Sequence, residues 1–142
     1  MNLLLRPARH ADLPALLELL AQLGYPDTGD FLARRVRELA DHPDALLRVA
    51  ECDGRVRGLI ALHFIPQLAL AGDICRIAYL CVDEGARGLG IGAALEEFAH
   101  AQARERGCDR IELHSHSRRV DAHRFYARQG YEEWPKYLVK AV

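Results

Sequence analysis

Three glycines at alternate positions, Gly88, Gly90 and Gly92, form the segment of this sequence best suited to binding an anion. Because glycine has no side chain, the backbone N–H groups of such a segment can approach a ligand closely. A helical apolar period begins at Ile91 and ends at Gly107. Since a helix N-terminus carries unpaired N–H groups and the positive end of the helix dipole, the pattern predicts a phosphate-binding loop.

Two well-known phosphate loops compete for this segment. A Walker loop is excluded because it needs Lys and then Ser or Thr after its last glycine, where this chain has Ala93 and Ala94. Gly88, Gly90 and Ala93 satisfy the dinucleotide pattern G-x-G-x-x-G/A, which predicts an NAD-dependent enzyme. The placement argues against that pattern, because a loop separates Val82 from Gly88 where the pattern requires a tight turn. A loop that binds no ligand is the third alternative.

The strand that leads into the glycine loop has apolar residues at both parities. It is predicted over Ile74–Val82, with Ile77, Tyr79 and Cys81 on one face. Apolar residues on both faces are typical of a central strand covered from both sides.

The rest of the chain divides into short segments of period two or of helical period. A hairpin with its turn at Asp53-Gly54 is predicted over 45–64. Its second strand presents four apolar side chains at one parity: Val56, Ile60, Leu62 and Phe64. The other predicted elements are a strand over 2–6, a helix capped by Asp12 and ended by Gly24, a helix capped by Thr28 or Asp30 and ended at His42-Pro43, a strand around 111–113, a helix over 120–129 and a strand over 131–139. This order, β-α-α-β-β-β-α-β-α-β, predicts an α/β (α+β) fold with a mixed sheet and helices on both faces.

Composition limits the classes of function. The 142 residues, half of them hydrophobic, predict one domain over 1–142. Nineteen basic and 20 acidic residues give a net charge of −1, which argues against a nucleic-acid partner. The longest apolar stretch is too short to cross a membrane. Four cysteines show no zinc or redox spacing and follow no leader segment, which predicts reduced thiols, a cytoplasmic protein and no metal site: Cys52, Cys75, Cys81 and Cys108.

Two motifs resemble those of one enzyme family. The segment Arg87-Gly88-Leu89-Gly90-Ile91-Gly92 resembles the R/Q-x-x-G-x-G/A motif of the GNAT superfamily of acyl-CoA-dependent N-acetyltransferases. It follows Leu80-Cys81-Val82-Asp83-Glu84, as the family's strand and acidic loop precede its motif. Phe125-Tyr126-Ala127-Arg128-Gln129-Gly130-Tyr131 is similar to the family's later Phe-Tyr-x-x-x-Gly-Phe/Tyr motif. The resemblance extends over the whole chain and implies a mostly antiparallel, twisted sheet of six to seven strands.

The resemblance also implies a cosubstrate and roles for residues. Acetyl-CoA is the expected acyl donor. Its pantetheine arm would pair with the backbone of Leu80, Cys81 and Val82, and a backbone N–H near Val82 would stabilise the oxyanion. The general acid would be Tyr126, matching the family's tyrosine. The pyrophosphate would be bound by the loop and the first helical turn, with Arg87 beside it: Gly88, Leu89, Gly90, Ile91, Gly92 and Ala93.

The general base is the least determined role. Some family members carry a strand glutamate at the position that Arg76 occupies here. Glu112, His114 and His116 share one parity, and His114 lies near the strand end where other members place a base, so His114 is the predicted base. A structural role for His114 is the alternative. His123 is expected on the solvent side of its helix. No role is predicted for the other histidines: His10, His42, His63 and His100.

The function implied is an N-acetyltransferase. It would move the acetyl group of acetyl-CoA to a primary amine of a small molecule or peptide, by direct transfer in a ternary complex. The alternative is an acyl-CoA-binding regulatory module of the same fold that has lost acetyl transfer. Family habit implies a homodimer, and no nucleic-acid or membrane partner is expected.

Overall fold

A computed structural model describes residues 1–115, 117, 119–134 and 137–142, and these form five strands and four α-helices. In chain order they are β1 (Leu3–Pro7), α1 (Leu13–Leu23), α2 (Leu32–Asp41), β2 (Ala45–Cys52), β3 (Arg55–Ile65), β4 (Ile74–Val82), α3 (Ile91–Glu105), β5 (Arg110–Leu113) and α4 (Val120–Arg128). The predicted order is confirmed as far as α4. The prediction of a strand over 131–139 is wrong for 131–134 and 137–139, which are described and are not strand.

The strands form one sheet in the order β1-β2-β3-β4-β5, and the first three pairings are antiparallel. The described sheet therefore has five strands rather than the predicted six to seven. The predicted hairpin turn is confirmed, with Asp53 at φ +50° and Gly54 at φ +84°. Two successive left-handed residues match the right-handed twist of the flanking strands, which explains the Asp-Gly pair.

The helix ends follow the predicted residues only in part. Gly24 ends α1 in the left-handed conformation at φ +111°, as predicted. Asp12 stands at the N-cap of α1, but its side chain makes no capping bond there. The prediction that the Thr28 or Asp30 side chain caps α2 is wrong, because the N-cap residue is Phe31. Thr28 contributes its backbone carbonyl, which accepts the N–H of Leu32 at 3.0 Å.

Two bulges reverse the side-chain alternation within the sheet. Gly58 pairs with Ala50 and Val56 pairs with Glu51, so Arg57 is an extra residue in β3. Opposite the other end of that strand, Leu62 pairs with Ile77 and Ala61 with Tyr79, so Ala78 is an extra residue in β4. An extra residue shifts all later side chains to the opposite face. The shared face predicted for Val56 with Ile60, Leu62 and Phe64, and that predicted for Ile77 with Tyr79 and Cys81, are therefore both wrong.

Helices cover both faces of the sheet, as predicted. On one face, buried residues of α1 and α2 pack against the sheet: Leu16, Leu19, Leu32, Val36, Val49, Leu59 and Cys81. On the other face lies α3, whose Ile91 and Leu95 side chains come within 3.2 Å of the position a Cβ would take on Gly58. Four side chains of the sheet and of α3 are completely buried: Val49, Ile60, Leu62 and Leu95. The sheet is therefore the centre of the core.

The chain divides into two compact units, Met1–Glu112 and Leu113–Val142. The first holds β1 to β4, all of β5 except Leu113, and the helices from α1 to α3, and the second holds α4. In the described part of the chain, no helix combines the length and the apolar character that a membrane crossing requires.

Candidate active site

The glycine loop leads from β4 into α3 as the sequence predicts. After β4 the chain makes a 3-10 turn over Glu84–Ala86, then passes Gly88 at φ +82° and Gly90 at φ +83°. Gly90 is the N-cap residue of α3, and the side chain of Ile91 is buried in the core. Left-handed conformations at both glycines require residues without a Cβ, which explains their spacing.

The loop presents unpaired backbone donors to solvent. In the described part of the chain, Ala94 is the first N–H of α3 to find an acceptor, the carbonyl oxygen of Gly90 at 3.1 Å. Arg87, Gly88, Leu89 and Gly90 are all exposed, and no atom lies within 4 Å of the positions that Cβ atoms would take on the two glycines. The open space, the unpaired N–H groups and the helix dipole together fit a phosphate-bearing ligand.

Hydrogen bonds hold the acidic turn before the glycine loop against β3 and α1. The Asp83 carboxylate accepts from Arg57 at 3.0 Å and from the side-chain amide of Gln22 at 2.8 Å. The Gln22 carbonyl oxygen in turn accepts the N–H of Glu84 at 2.9 Å. Arg57 and Gln22 were not predicted from the sequence, because they carry no motif and lie far from the loop along the chain.

The second half of β4 extends beyond its described neighbour. The Asp109 N–H donates to the Asp73 carbonyl at 3.0 Å, and Arg76 donates to Glu112, so β5 runs beside the first half of β4 in the same direction. β4 has nine residues and β5 has four. The backbone of 80–82 therefore lies on a part of β4 that β5 does not reach, where an extended ligand arm could pair with it.

The predicted candidates for the base differ in environment. Burial raises the pKa of Glu112, but hydrogen bonds and charge from Arg76 and Arg110 outweigh it, so its pKa lies below the usual range. Glu112 is thus held as a carboxylate. His114, in the second unit, is exposed and its ring stacks on Tyr137 with the centroids 3.9 Å apart. His116 lies outside the described residues.

The second sequence motif forms an aromatic cluster in the unit Leu113–Val142. The Tyr126 ring makes edge contacts with Phe125 at 5.2 Å and with Tyr131 at 5.6 Å between centroids. Gly130 is left-handed at φ +95°, and the N–H of Tyr131 donates to the Tyr126 carbonyl at 3.0 Å. The glycine of the motif therefore ends α4 so that Tyr131 folds back onto Tyr126.

A cavity of about 470 Å³ lies between α1, α2 and the sheet, within the unit Met1–Glu112. Most of its lining is apolar, and the Thr28 hydroxyl is buried without a hydrogen-bond partner in the described part of the chain. His63, for which no role was predicted, is among the lining residues. The lining consists of Leu16, Leu20, Tyr25, Thr28, Phe31, Leu32, Arg35, Val36, Glu38, Leu39, Leu47, Leu59, Ala61, His63 and Tyr79.

Comparisons with known proteins identify the family of this chain. The model of the Acetyltransferase (GNAT) family matches residues 13–131. A curated relative, the aminoalkylphosphonate N-acetyltransferase of Salmonella typhimurium, is 40% identical over 100 residues, which are 70% of this chain and 65% of that protein. The chain thus spans slightly less than two thirds of that relative.

Solved structures share the fold. A transcriptional regulator from Bacillus halodurans C-125 superposes with a TM-score of 0.90 at 26% identity, over 99% of this chain and 100% of that one. An aminoglycoside N-acetyltransferase in complex with CoA superposes with a TM-score of 0.86 at 14% identity, over 99% of this chain and 95% of that one. The family resemblance found in the two sequence motifs is confirmed, and the chain belongs to the Acetyltransferase (GNAT) family.

Proposed function

We propose that this protein is an acetyl-CoA-dependent N-acetyltransferase that acetylates a primary amine of a small molecule by direct transfer in a ternary complex. The observation that carries the proposal is the left-handed glycine loop, which opens α3 with exposed and unpaired backbone N–H groups. Family membership supplies the reaction class. In this proposal residues 1–142 act as one domain, since the family match includes residues of both compact units.

The donor would be held mainly by backbone groups. The N–H groups of 88–93 would bind the pyrophosphate of acetyl-CoA, with Arg87 adding a charge beside it. The unpaired part of β4, Leu80–Val82, would bind the pantetheine arm as a neighbouring strand would. An N–H near Val82 would stabilise the oxyanion that forms when the amine attacks the thioester carbonyl.

The leaving thiolate needs a proton or a strong hydrogen bond, and Tyr126 is the proposed donor. A phenol of pKa about 10 is a weaker acid than a thiol of pKa about 8.5. Full proton transfer to a free thiolate would therefore be unfavourable. The Tyr126 hydroxyl would act through a hydrogen bond that strengthens as the carbon–sulfur bond breaks.

The cavity between α1, α2 and the sheet is the proposed acceptor site. Its volume of about 470 Å³ suits a small molecule, and its lining favours an acceptor with an apolar body. The relative's name makes aminoalkylphosphonates the first acceptors to test. Arg35, the cationic lining residue, donates to Glu38 at 2.8 Å, so a phosphonate would have to compete for it.

A second candidate function is an acyl-CoA-binding regulatory module without acetyl transfer. Two observations favour it. Arg76, paired with Glu112, stands where some family members carry a strand glutamate. A protein of the same fold at 26% identity is named a transcriptional regulator.

Release of free thiol from acetyl-CoA across a panel of amines separates the two candidates. The panel should pair each aminoalkylphosphonate with a phosphorus-free amine of the same chain length. We expect thiol release with at least one amine, and Tyr126→Phe should lower kcat about 10²-fold with little change in the Kd of acetyl-CoA.

The matched control is Tyr137→Phe, which removes an exposed hydroxyl from the same unit and keeps the ring that stacks on His114. An unchanged kcat in Tyr126→Phe would remove Tyr126 from the mechanism. Binding of acetyl-CoA without thiol release for any amine would favour the regulatory module.

A further inference from the structure

His63 stands on the floor of the cavity, where the acceptor amine is proposed to bind. It belongs to β3, on the sheet face that also presents Leu59 and Ala61 to the cavity. Its neighbours across the sheet are Ala45 on β2 and Arg76 on β4. The residue is partly buried, so part of its surface stays accessible to solvent.

The imidazole of His63 is unbound and is kept neutral. Within the described residues, neither ring nitrogen has a hydrogen-bond partner, which leaves one lone pair available. Burial lowers the pKa of His63 below its usual value, and electrostatic interactions with His42 and Arg76 lower it further. At neutral pH the ring is therefore a neutral imidazole that can accept a proton, rather than an imidazolium.

The other polar groups at the cavity cannot act as the proton acceptor. Glu38 is the carboxylate of the lining, and it is bound to Arg35 at 2.8 Å and to Arg34 at 3.7 Å at the half-exposed end of α2. Tyr25 and Tyr79 contact each other edge-on, with ring centroids 5.7 Å apart, and each offers a phenol hydroxyl, which is a hydrogen-bond donor and not a strong base. Among the described lining residues, His63 is the neutral base.

An amine enters such a cavity as an ammonium ion and must lose a proton before it can attack. A primary amine of pKa about 10 is almost entirely protonated at pH 7 and then has no lone pair. The apolar lining disfavours the charged form, which lowers the cost of deprotonation but does not supply a proton acceptor.

We propose that His63 removes the proton from the ammonium group of the acceptor bound in this cavity; this inference rests on the acetyl-transfer function proposed above. An N–H bond of the ammonium breaks, its electron pair stays on the amine nitrogen as the lone pair, and the proton binds an imidazole nitrogen. Arg76 and His42 disfavour the imidazolium, so it passes the proton to water through its exposed part. The freed lone pair attacks the thioester carbonyl.

His63→Gln tests this role because it keeps a polar side chain of similar length and removes the base. With an acceptor found in the thiol-release assay, kcat/KM at pH 7 should fall about 10²-fold. The deficit should shrink to a few-fold as the pH approaches about 10, where the amine arrives already neutral. His100→Gln, on the exposed side of α3, is the matched control and should behave as the wild type. His114→Gln applies the same measurement of kcat/KM against pH to His114, the base predicted from the sequence.

The wild type gives an independent readout that requires no variant. Its kcat/KM should fall on the acid side with an apparent pKa below about 6.5, the usual value for histidine. Wild-type activity with no such limb, an equal deficit of His63→Gln at every pH, or no deficit at all would each overturn the role of His63. The first of these outcomes is measured on the wild type alone, so it would still overturn the role of His63 if His63→Gln failed to fold. Absence of thiol release in the wild type would instead overturn the proposed function itself.

Discussion

Arg6 and Asp12 form a buried ion pair at the start of the chain, with side chains 13% and 7% exposed. Both terminal guanidinium nitrogens donate to the Asp12 carboxylate, at 2.8 and 2.9 Å, and Nη2 and Nε also donate to Glu51, at 3.1 and 3.3 Å. The carboxylate further accepts the N–H of Arg9 at 2.7 Å. The Arg6 hydrogen bond is the largest cause of a lowered pKa at Asp12, and it outweighs the effect of burial.

Because the folded state lowers the pKa of Asp12, the pair stabilises the fold above the usual carboxyl pKa of about 4, and this contribution is lost as the pH falls through the folded-state value. We expect Asp12→Asn to lower the free energy of unfolding by about 3 kcal/mol at pH 7, since it leaves the buried charge of Arg6 without the Asp12 carboxylate. Urea unfolding across pH should show this gap narrowing below pH 4. Asp30→Asn, at an exposed position, is the control and should change little. A gap that stays constant down to pH 2 would contradict the assigned cause.

At this scale the residue types were easier to predict than their partners. The Asp12 side chain is required near the start of α1, but it binds Arg6 rather than the helix. The left-handed Gly24 and Gly54 were predictable because helix ends and tight turns often need a positive φ, which restricts the residue type strongly. The strand neighbours of His63 and the hydrogen-bond partners of Asp83 lie on other elements, and nothing adjacent in the sequence marks them.

At the scale of elements, the strand positions were predictable and the face that each residue presents was not. The predicted bounds of β4 agree with the structure, yet the bulge at Ala78 places Ile77 and Tyr79 on opposite faces. Tyr79 is 40% exposed, whereas Ile77 is 4% exposed. A bulge residue needs no particular side chain, so apolar alternation continues through it and predicts the wrong face. The role of His63 was not predictable for another reason, because the cavity that it lines forms only when α1 and α2 pack on the sheet.

The contact between β3 and α3 depends on a glycine. A Cβ on Gly58 would lie 3.1 Å from the Cys81 carbonyl oxygen and 3.2 Å from the side chains of Ile91 and Leu95. These atoms belong to the end of β4 and the first turns of α3, the elements that hold the proposed acetyl-CoA site. The spacing of sheet and helix there is therefore set by the absence of a side chain.

Gly58→Ala should consequently affect stability and donor binding together. We expect a loss of about 1–3 kcal/mol in the free energy of unfolding, because the added methyl overpacks the interface, and a weaker acetyl-CoA affinity, because the start of α3 must shift. Denaturant unfolding and calorimetric titration of acetyl-CoA measure the two effects. Gly29→Ala adds the same methyl where no atom lies within 4 Å and should change stability by less than about 0.5 kcal/mol. Equal behaviour of the two variants would show that the contact tolerates a Cβ.

For the whole molecule, a net charge of −1 is compatible with phosphate binding because the binding groups are local. The loop offers backbone N–H groups, a helix start and Arg87, none of which needs an overall positive charge. The family was predictable from two motifs, of which one lies in each compact unit, and the family match over 13–131 includes both. The acceptor was not predictable, since its proposed site is built from α1, α2, β2, β3 and β4, whose contacts exist only after folding.

The nature of the cosubstrate can be tested on the intact protein by its effect on thermal stability. A ligand that binds only the folded state stabilises it by about 2.7 kcal/mol at 100 times its Kd, which is about 8–10 °C in Tm for a domain of this size. We expect acetyl-CoA to raise Tm by this amount and NADH to leave it unchanged, because the loop before Gly88 does not form the tight turn of a dinucleotide site. Desulfo-CoA, which keeps the pyrophosphate and pantetheine but lacks the thiol, should retain most of the shift, since the proposed contacts of 88–93 and Leu80–Val82 are to those parts. A rise with NADH, or none with acetyl-CoA, would contradict the assignment of the glycine loop to an acyl-CoA.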